Sequence, residues 1–332
     1  MRNVLLTGGL GYIGSHTVLS LIEQGHAPII IDNLSNSNLH TLKALHDLSK
    51  VDIPFYQIDI LNTQAVEEVF QGHDIQTVIH FAALKSVPDS IKQPLNYYQN
   101  NIDGLRSLLT VVKKHQIQSF IFSSSAAIYD AANAFPLSEE AALGYTNPYA
   151  FTKLCGEWML NDFFLNHPNV QIAKLRYFNP LGNHPSGLIG DPGSTKATNI
   201  MPMIYKCLAN QQPFEIYGND YKTEDGSALR DYIHVQDLAG AHTLMLYYLE
   251  NSLGIHTFNV GLGHAISVKQ LIKTFQQVNS VELDVKLSPP REGDLPACFA
   301  NAIKIMTHTG WNPKHDLSQM CRDAFTYYMN SL

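Results

Sequence analysis

Short, nearly uninterrupted apolar runs alternate with longer amphipathic ones through the first half of the chain. Val4–Thr7, Pro28–Asp32, Pro54–Ile58, Thr77–Phe81, Phe120–Ser124 and Val170–Leu175 contain few polar residues. Runs of this length without polar alternation predict strands buried on both faces, as in a parallel sheet. Between them, Ile13–Gln24, Thr63–Phe70, Leu95–His115 and Pro148–Leu165 read as helices. Repeated strand–helix alternation predicts an α/β fold, a doubly wound parallel sheet with helices on both faces. After Asn179-Pro180 the rhythm breaks, and Gly182–Ser194 is rich in Gly, Pro, Ser and Asn, a boundary loop. Beyond it, strands at Phe214–Tyr217 and Thr257–Val260 and helices at Val268–Val278 and Leu317–Met329 predict a smaller α+β lobe. We therefore expect units at 1–180 and 181–332, with residues 231–262 able to pack back on the first.

Composition narrows the function. Across 332 residues, 45% hydrophobic content supplies ample material for a core. A net charge of −7 with 22 Lys and Arg argues against a nucleic-acid partner. No apolar run approaches the roughly 18 residues of a membrane span, and Val4–Leu6 is too short for the core of a signal peptide. Cys155, Cys207, Cys298 and Cys321 are scattered without a C-x-x-C. Reduced thiols in a cytoplasmic protein are expected. The 15 histidines show no metal-ligand spacing, so no metal is expected and they read as ordinary surface and core residues.

Thr7-Gly8-Gly9-Leu10-Gly11-Tyr12-Ile13-Gly14 follows the first strand and opens the first helix. Gly8 and Gly11 allow a tight turn and close approach of backbone to a pyrophosphate, and Gly14 allows helix and strand to pack closely. The helix N-terminus offers free amides to phosphates. Asp32 ends the second strand, where a carboxylate accepts from ribose hydroxyls and repels a 2′-phosphate, so NAD is expected over NADP. Asp59-Ile60 is suitably placed for the adenine, and Phe81-Ala82-Ala83-Leu84-Lys85 ends the fourth strand on the same edge. Ser123-Ser124-Ser125 ends the fifth strand. Tyr149 alone among the tyrosines has a lysine four residues on, Lys153, which on a helix puts both on one face. A free phenol is ionised to about one part in a thousand at pH 7, and a nearby ammonium favours the phenolate. A Ser/Tyr/Lys site beside a nicotinamide pocket suits hydride chemistry at a carbinol carbon.

With these motifs the chain resembles the extended short-chain dehydrogenase/reductases, and within them the epimerases that act on UDP-hexoses. The specific pieces are the glycine run through Thr17, Asp32-Asn33-Leu34, His80–Lys85, Leu175–Pro180, Arg230–Val235 and Arg291–Pro296. The resemblance implies reversible epimerisation at C4 of UDP-glucose and UDP-galactose through a 4-keto intermediate, with tightly bound NAD. It gives Ser125, Tyr149 and Lys153 as the catalytic trio. It extends the cofactor set to Gly8, Gly11, Tyr12, Ile13, Gly14, Asp32, Asn33, Asp59, Ile60, Phe81, Ala82, Lys85, Asn100, Tyr149, Lys153, Tyr177 and Phe178. Ser125 and Tyr149 also touch the sugar, as does Asn179; Asn199 lies near the pyrophosphate and Tyr217 against uracil. Arg230 and Arg291 clamp the diphosphate, and Asp294 holds the uridine ribose. A homodimer built from Leu95–His115 and Pro148–Leu165 is also implied.

Three features bear on that reading. Asp130 replaces a frequent glycine, and Asp130–Glu140, unlike better-known relatives, is expected to lie away from the chemistry. Cys298 stands where relatives carry either a bulky tyrosine or a small residue on the C2 side of the sugar, so UDP-GlcNAc and UDP-GalNAc are candidate substrates too. A nucleotide-sugar 4,6-dehydratase is the nearest rival, but Ala126-Ala127 occupy the place of its acidic pair. A silent NAD-binding regulator is the non-enzyme alternative, and the intact Ser125, Tyr149 and Lys153 speak against it.

Overall fold

Seven parallel strands form the central sheet of the computed structural model, which describes residues 1–191, 199–290 and 294–332. Six come from the first 180 residues: β1 (Asn3–Thr7), β2 (Ala27–Asp32), β3 (Phe55–Gln57), β4 (Thr77–His80), β5 (Ser119–Ser125) and β6 (Gln171–Tyr177). Later strands are short: β7 (Asn179–Leu181), β8 (Phe214–Tyr217), β9 (Leu229–Arg230) and β10 (Tyr232–His234). They are followed by β11 (Ile255–Val260), β12 (Ile266–Ser267), β13 (Val285–Ser288) and β14 (Ala297–Cys298). The sheet order is β11-β6-β5-β4-β1-β2-β3. The order reverses between β1 and β4, and ligands of open α/β sheets sit at such a reversal, beyond the strands' C-terminal ends.

The helices of the first half are α1 (Tyr12–Glu23), α2 (Leu39–Ser49), α3 (Thr63–Gly72), α4 (Val87–Lys92), α5 (Pro94–Tyr97), α6 (Gly104–Val112) and α7 (Pro148–Asn166). The second half adds α8 (Ile200–Asn210), α9 (Val235–Asn251), α10 (Val268–Asn279), α11 (Ile303–Thr309) and α12 (Leu317–Asn330). Two apolar layers sandwich the sheet. Leu6, Ile30, Ile79, Ile121 and Leu175 face one, and Leu5, Ile31, Val78, Phe120 and Ile172 face the other. A third cluster, with Ile204, Phe214, Leu271, Phe275 and Met320, fills the smaller lobe. Residues 235–260 return to the first unit: α9 packs on α1, β5 and β6, and β11 pairs with β6.

Two expectations need correction. Leu95–His115 is not one helix, because a π-helical turn over Tyr98–Asp103 separates α5 from α6. The turn directs Asn101 inward, where it accepts from Leu84 N at 2.8 Å and donates to Leu84 O at 3.0 Å and Thr152 Oγ1 at 2.9 Å. Inserted residues of this kind often serve a site. Asp130–Glu140 does not lie away from the functional edge. Leu137 N donates to Phe299 O at 2.9 Å and the Phe135 ring stacks on Phe299, so the segment packs beside the strand that carries Cys298.

Candidate active site

Tyr149, Lys153 and Glu157 stand at successive turns of α7, which Asn147 caps by accepting from Ala150 N at 2.9 Å. Glu157 anchors this stripe. Its carboxylate takes a fork from Arg176 on β6 at 2.9 and 2.8 Å and a hydroxyl proton from Ser124 on β5 at 2.6 Å. Burial alone raises the Glu157 pKa, but Arg176, Lys174 and Ser124 outweigh it and hold the group ionised. Arg176 also donates to Tyr129 Oη at 3.0 Å and Glu139 O at 2.9 Å. The result is a buried, satisfied ion pair beneath the chemistry.

Above it, Lys153 is 5% exposed and its ammonium donates to Ser123 O at 2.6 Å and Ser123 Oγ at 3.2 Å. Burial lowers its pKa to about 7. The Tyr149 pKa is raised by burial, and a hydrogen bond from Ser125 opposes the rise. From its spacing, Lys153 is expected to act on the phenol directly. In the structure its ammonium turns to Ser123, and Ser125 is the hydroxyl against the phenol. Ser125 also accepts from Ala127 N at 3.2 Å, which fixes its rotamer at the end of β5.

Across the edge, the glycine loop is as tight as its spacing suggests. Gly8 has φ +71°, and a Cβ there would lie 2.8 Å from Ala82 N. A Cβ on Gly14 would lie 2.4 Å from Gly8 O. Asp32 is 7% exposed; its Oδ2 accepts from Leu10 N at 3.1 Å and its Oδ1 from Leu34 N at 2.9 Å and Ser37 Oγ at 2.7 Å. Asn33 donates to Asp59 at 2.9 Å, and Ile60 packs where Gly104 leaves room. Ile13 and Phe81 pack against one face of the core, and Ala82 against the other. The Tyr12 hydroxyl donates to Gly182 O, and Lys85 lies 4.0 Å from Asp191, which accepts from Asn199 at 2.7 Å. Asn100 donates to Asn101 at 2.9 Å, so the inward contacts fall to its neighbour. Phe178 is buried, and the Tyr177 hydroxyl is bound to His242 in the core.

Several of the residues expected to meet the substrate lie on short strands. Asn179 opens β7, which pairs with β10, and Tyr217 closes β8 with its hydroxyl 2.6 Å from Glu215. Cys298 on β14 is in register with Arg230 on β9. Arg230 and Asp294, expected to hold different parts of a ligand, pair with each other at 2.5 Å. Arg291 lies outside the described residues. Asp231, fully buried, holds the group together by accepting from Leu262 N at 2.7 Å, Gly263 N at 2.9 Å and Ala300 N at 3.0 Å.

Residues 4–261 match the model of the NAD dependent epimerase/dehydratase family. The chain belongs to this family. It is 41% identical over 98% of its length to a UDP-glucose 4-epimerase of Dictyostelium discoideum, covering 95% of that protein. A UDP-glucose-4-epimerase from Stenotrophomonas maltophila, crystallised with NAD and formylated UDP-arabinopyranose, superposes with a TM-score of 0.97 at 39% identity, covering 100% of this chain and 99% of the other. The enzyme from Bifidobacterium longum, in complex with NAD+ and UDP, gives 0.93 at 35% identity, covering 99% and 98%.

The residues of this family member fit a dinucleotide. The cradle at Gly8 and Gly14 is closed to any Cβ, and the acidic Asp32 stands at the end of β2. Among the described residues no group of His, Cys, Asp and Glu could hold a metal, and no helix is long and apolar enough to cross a membrane. The sequence reading missed Glu157, although its i+8 spacing from Tyr149 was visible. It named Ser123 only within the strand-end serine run and gave no part to Asp231 or His242, whose contacts no spacing announces.

Proposed function

We infer that this chain interconverts UDP-glucose and UDP-galactose at C4 through a 4-keto intermediate, with NAD held tightly. One observation carries the reading. Ser125 at the end of β5 and Tyr149 and Lys153 at the start of α7 stand at the same edge of the sheet as the glycine cradle, in a chain 41% identical over nearly its whole length to a UDP-glucose 4-epimerase. NAD, when bound, supplies the hydride acceptor and donor at C4. Tyr149 accepts the proton of the 4-hydroxyl, directly or through Ser125, and later returns it. Burial keeps the resting phenol neutral, so its ionisation draws on the Ser125 hydrogen bond and a charged Lys153. Ala126 and Ala127 offer no group to eliminate water, which favours epimerisation over dehydration.

The UDP half is read as a tether that keeps the intermediate bound while it turns over. Asn179 is assigned to the sugar, Asn199 to the pyrophosphate and Tyr217 to uracil. Arg230, with Arg291, is assigned to the diphosphate and Asp294 to the ribose. A phosphate entering this site competes with Asp294 for Arg230. Residues 1–180 thus serve the cofactor and, through Ser125, Tyr149 and Asn179, reach the sugar, while 181–332 serve the rest of the UDP-sugar. The small Cys298 supports acceptance of an N-acetyl group at C2, so that UDP-GlcNAc and UDP-GalNAc interconvert as well. Trp158 and Leu165 on α7 and Leu95 on α5 are exposed, which supports a homodimer formed on these helices. The four free cysteines agree with a cytoplasmic enzyme.

The test is incubation of purified protein with UDP-galactose, without added NAD, followed by proton NMR. UDP-glucose is expected. A 4-keto-6-deoxy sugar in its place would establish the dehydratase, and no reaction even with NAD supplied would overturn the reading.

A further inference from the structure

Arg230 carries its own counter-ion. Its Nη2 donates to Asp294 Oδ1 at 2.5 Å, and its Nη1 donates to Leu229 O at 2.8 Å and Leu295 O at 2.9 Å. Both protons of Nη1 are thus taken by carbonyls. The side of the guanidinium left for an incoming oxyanion is that of Nη2 and Nε, and Asp294 stands on Nη2. The two side chains are 17% and 29% exposed, so a ligand can reach the pair.

The ion pair is not what fastens its segment. Leu229 N donates to Pro296 O at 2.8 Å and Asp231 N to Cys298 O at 3.1 Å, and the bond from Arg230 to Leu295 O is a third tie between β9 and the residues entering β14. Beside these, a partly exposed ion pair contributes little to stability. The neighbouring carboxylate of Asp231 does not share the task, because it accepts from Leu262 N, Gly263 N and Ala300 N. The same arrangement recurs at the other described residue assigned to the phosphates. Asn199 donates to Asp191 Oδ2 at 2.7 Å, and the Lys85 ammonium lies 4.0 Å from that oxygen.

We propose that Asp294 makes phosphate binding at Arg230 conditional on a nucleoside, so that the site selects a nucleoside diphosphate against free pyrophosphate and inorganic phosphate. The inference rests on the assignment of Arg230 to the diphosphate and Asp294 to the ribose. A bare oxyanion must displace a carboxylate from contact with the guanidinium. That carboxylate is then left beside a second anion, and the repulsion grows as their separation shrinks. A ribose changes the exchange. Its hydroxyls donate to the carboxylate, which only accepts, and draw it off Arg230 as the phosphate arrives. Leu229 O and Leu295 O keep hold of Nη1, so Arg230 stays in place while Asp294 moves. Asp294 therefore repels the ligand without a ribose and attracts the one that has it, and discrimination is the difference between the two.

The experiment is calorimetric titration of the NAD-loaded protein with UDP and, separately, with inorganic pyrophosphate, at one fixed ionic strength. Wild type, Asp294→Asn, Arg230→Gln and the double variant are compared. Asp294→Asn keeps the shape of the side chain, so NAD content is expected to stay unchanged. It binds pyrophosphate at least about tenfold more tightly than wild type while UDP does not follow, so the preference for UDP falls by a similar factor. Arg230→Gln alone weakens UDP by about tenfold or more but alters pyrophosphate by less than about twofold. In the Asp294→Asn background it abolishes the gain. Pyrophosphate affinity unchanged in Asp294→Asn, or a gain that survives the loss of Arg230, would overturn the proposal. So would equal tightening of both ligands, because Asp294 would then repel anions without recognising the ribose. A wild type that binds no UDP overturns the reading of the site, and the proposal with it. A wild type that binds UDP, with a pyrophosphate affinity indifferent to Asp294, overturns the proposal alone.

Discussion

The two halves of the site are built differently. In the glycine loop of the first half the backbone itself makes the proposed cofactor cradle: a strand end, a left-handed Gly8 and a helix N-terminus that no side chain caps. In the second half the proposed surface draws on side chains of strands two to four residues long, next to which the buried carboxylate of Asp231 binds three backbone amides. The first arrangement tolerates side-chain variation but not a new Cβ. The second adapts by substitution at its rim and fails through loss of its anchor.

Tyr149→Phe tests the point where the halves meet. It removes the proposed acid/base group and little volume, so turnover is expected to fall by about 10²–10⁴ with UDP-sugar and NAD binding retained. Retained turnover, measured by UDP-glucose formation, would break the assignment. Gly14→Ala tests the backbone-made half. The added methyl lies 2.4 Å from Gly8 O, so the loop must open; overpacking costs about 1–3 kcal/mol, and NAD should be lost on purification. Absorbance of the denatured protein's released cofactor checks this. Asp231→Asn tests the other half. One carboxylate oxygen becomes an NH2 facing backbone N–H groups, a penalty of about 1–3 kcal/mol. The expected result is a raised KM for UDP-galactose with NAD content unchanged. An equal loss of NAD would show that the halves are not separable.

The same contrast explains what was legible in the sequence. Parallel strands end on one edge of the sheet, so the placing of Gly8, Asp32, Phe81 and Ser125 on that edge followed from element order, and that of Tyr149 on one helix face with Lys153 from spacing. The substrate residues came from resemblance, because Arg230, Asp294 and Cys298 are brought together by three-dimensional return of the chain. α9 was not read as a helix. Ten of its 17 residues are buried, since it packs on both α1 and the sheet, and burial on several sides erases amphipathic period. α2 failed for the opposite reason, with only Leu45 buried. The π-helical turn follows from Asn101 reaching Leu84 and Thr152, a tertiary demand with no local signature.

The smallest expected effect concerns specificity. Cys298 is half-buried on β14, with its carbonyl accepting from Asp231 N at 3.1 Å. Its thiol is held neutral by burial, which raises the pKa to about 11, so it acts by size and not as a nucleophile. Cys298 packs against the core cluster that contains Leu137. On the proposed reading a larger side chain at this position projects toward the sugar. In Cys298→Tyr the ratio of kcat/KM for UDP-GalNAc to that for UDP-galactose should fall at least about tenfold, within what pocket sterics supply, while UDP-galactose turnover changes little. A wild type that ignores UDP-GalNAc, or a ratio untouched by the substitution, would mean that the C2 side is shaped elsewhere. The adaptable half of the site would then be read at the wrong residue, although its anchor at Asp231 would stand.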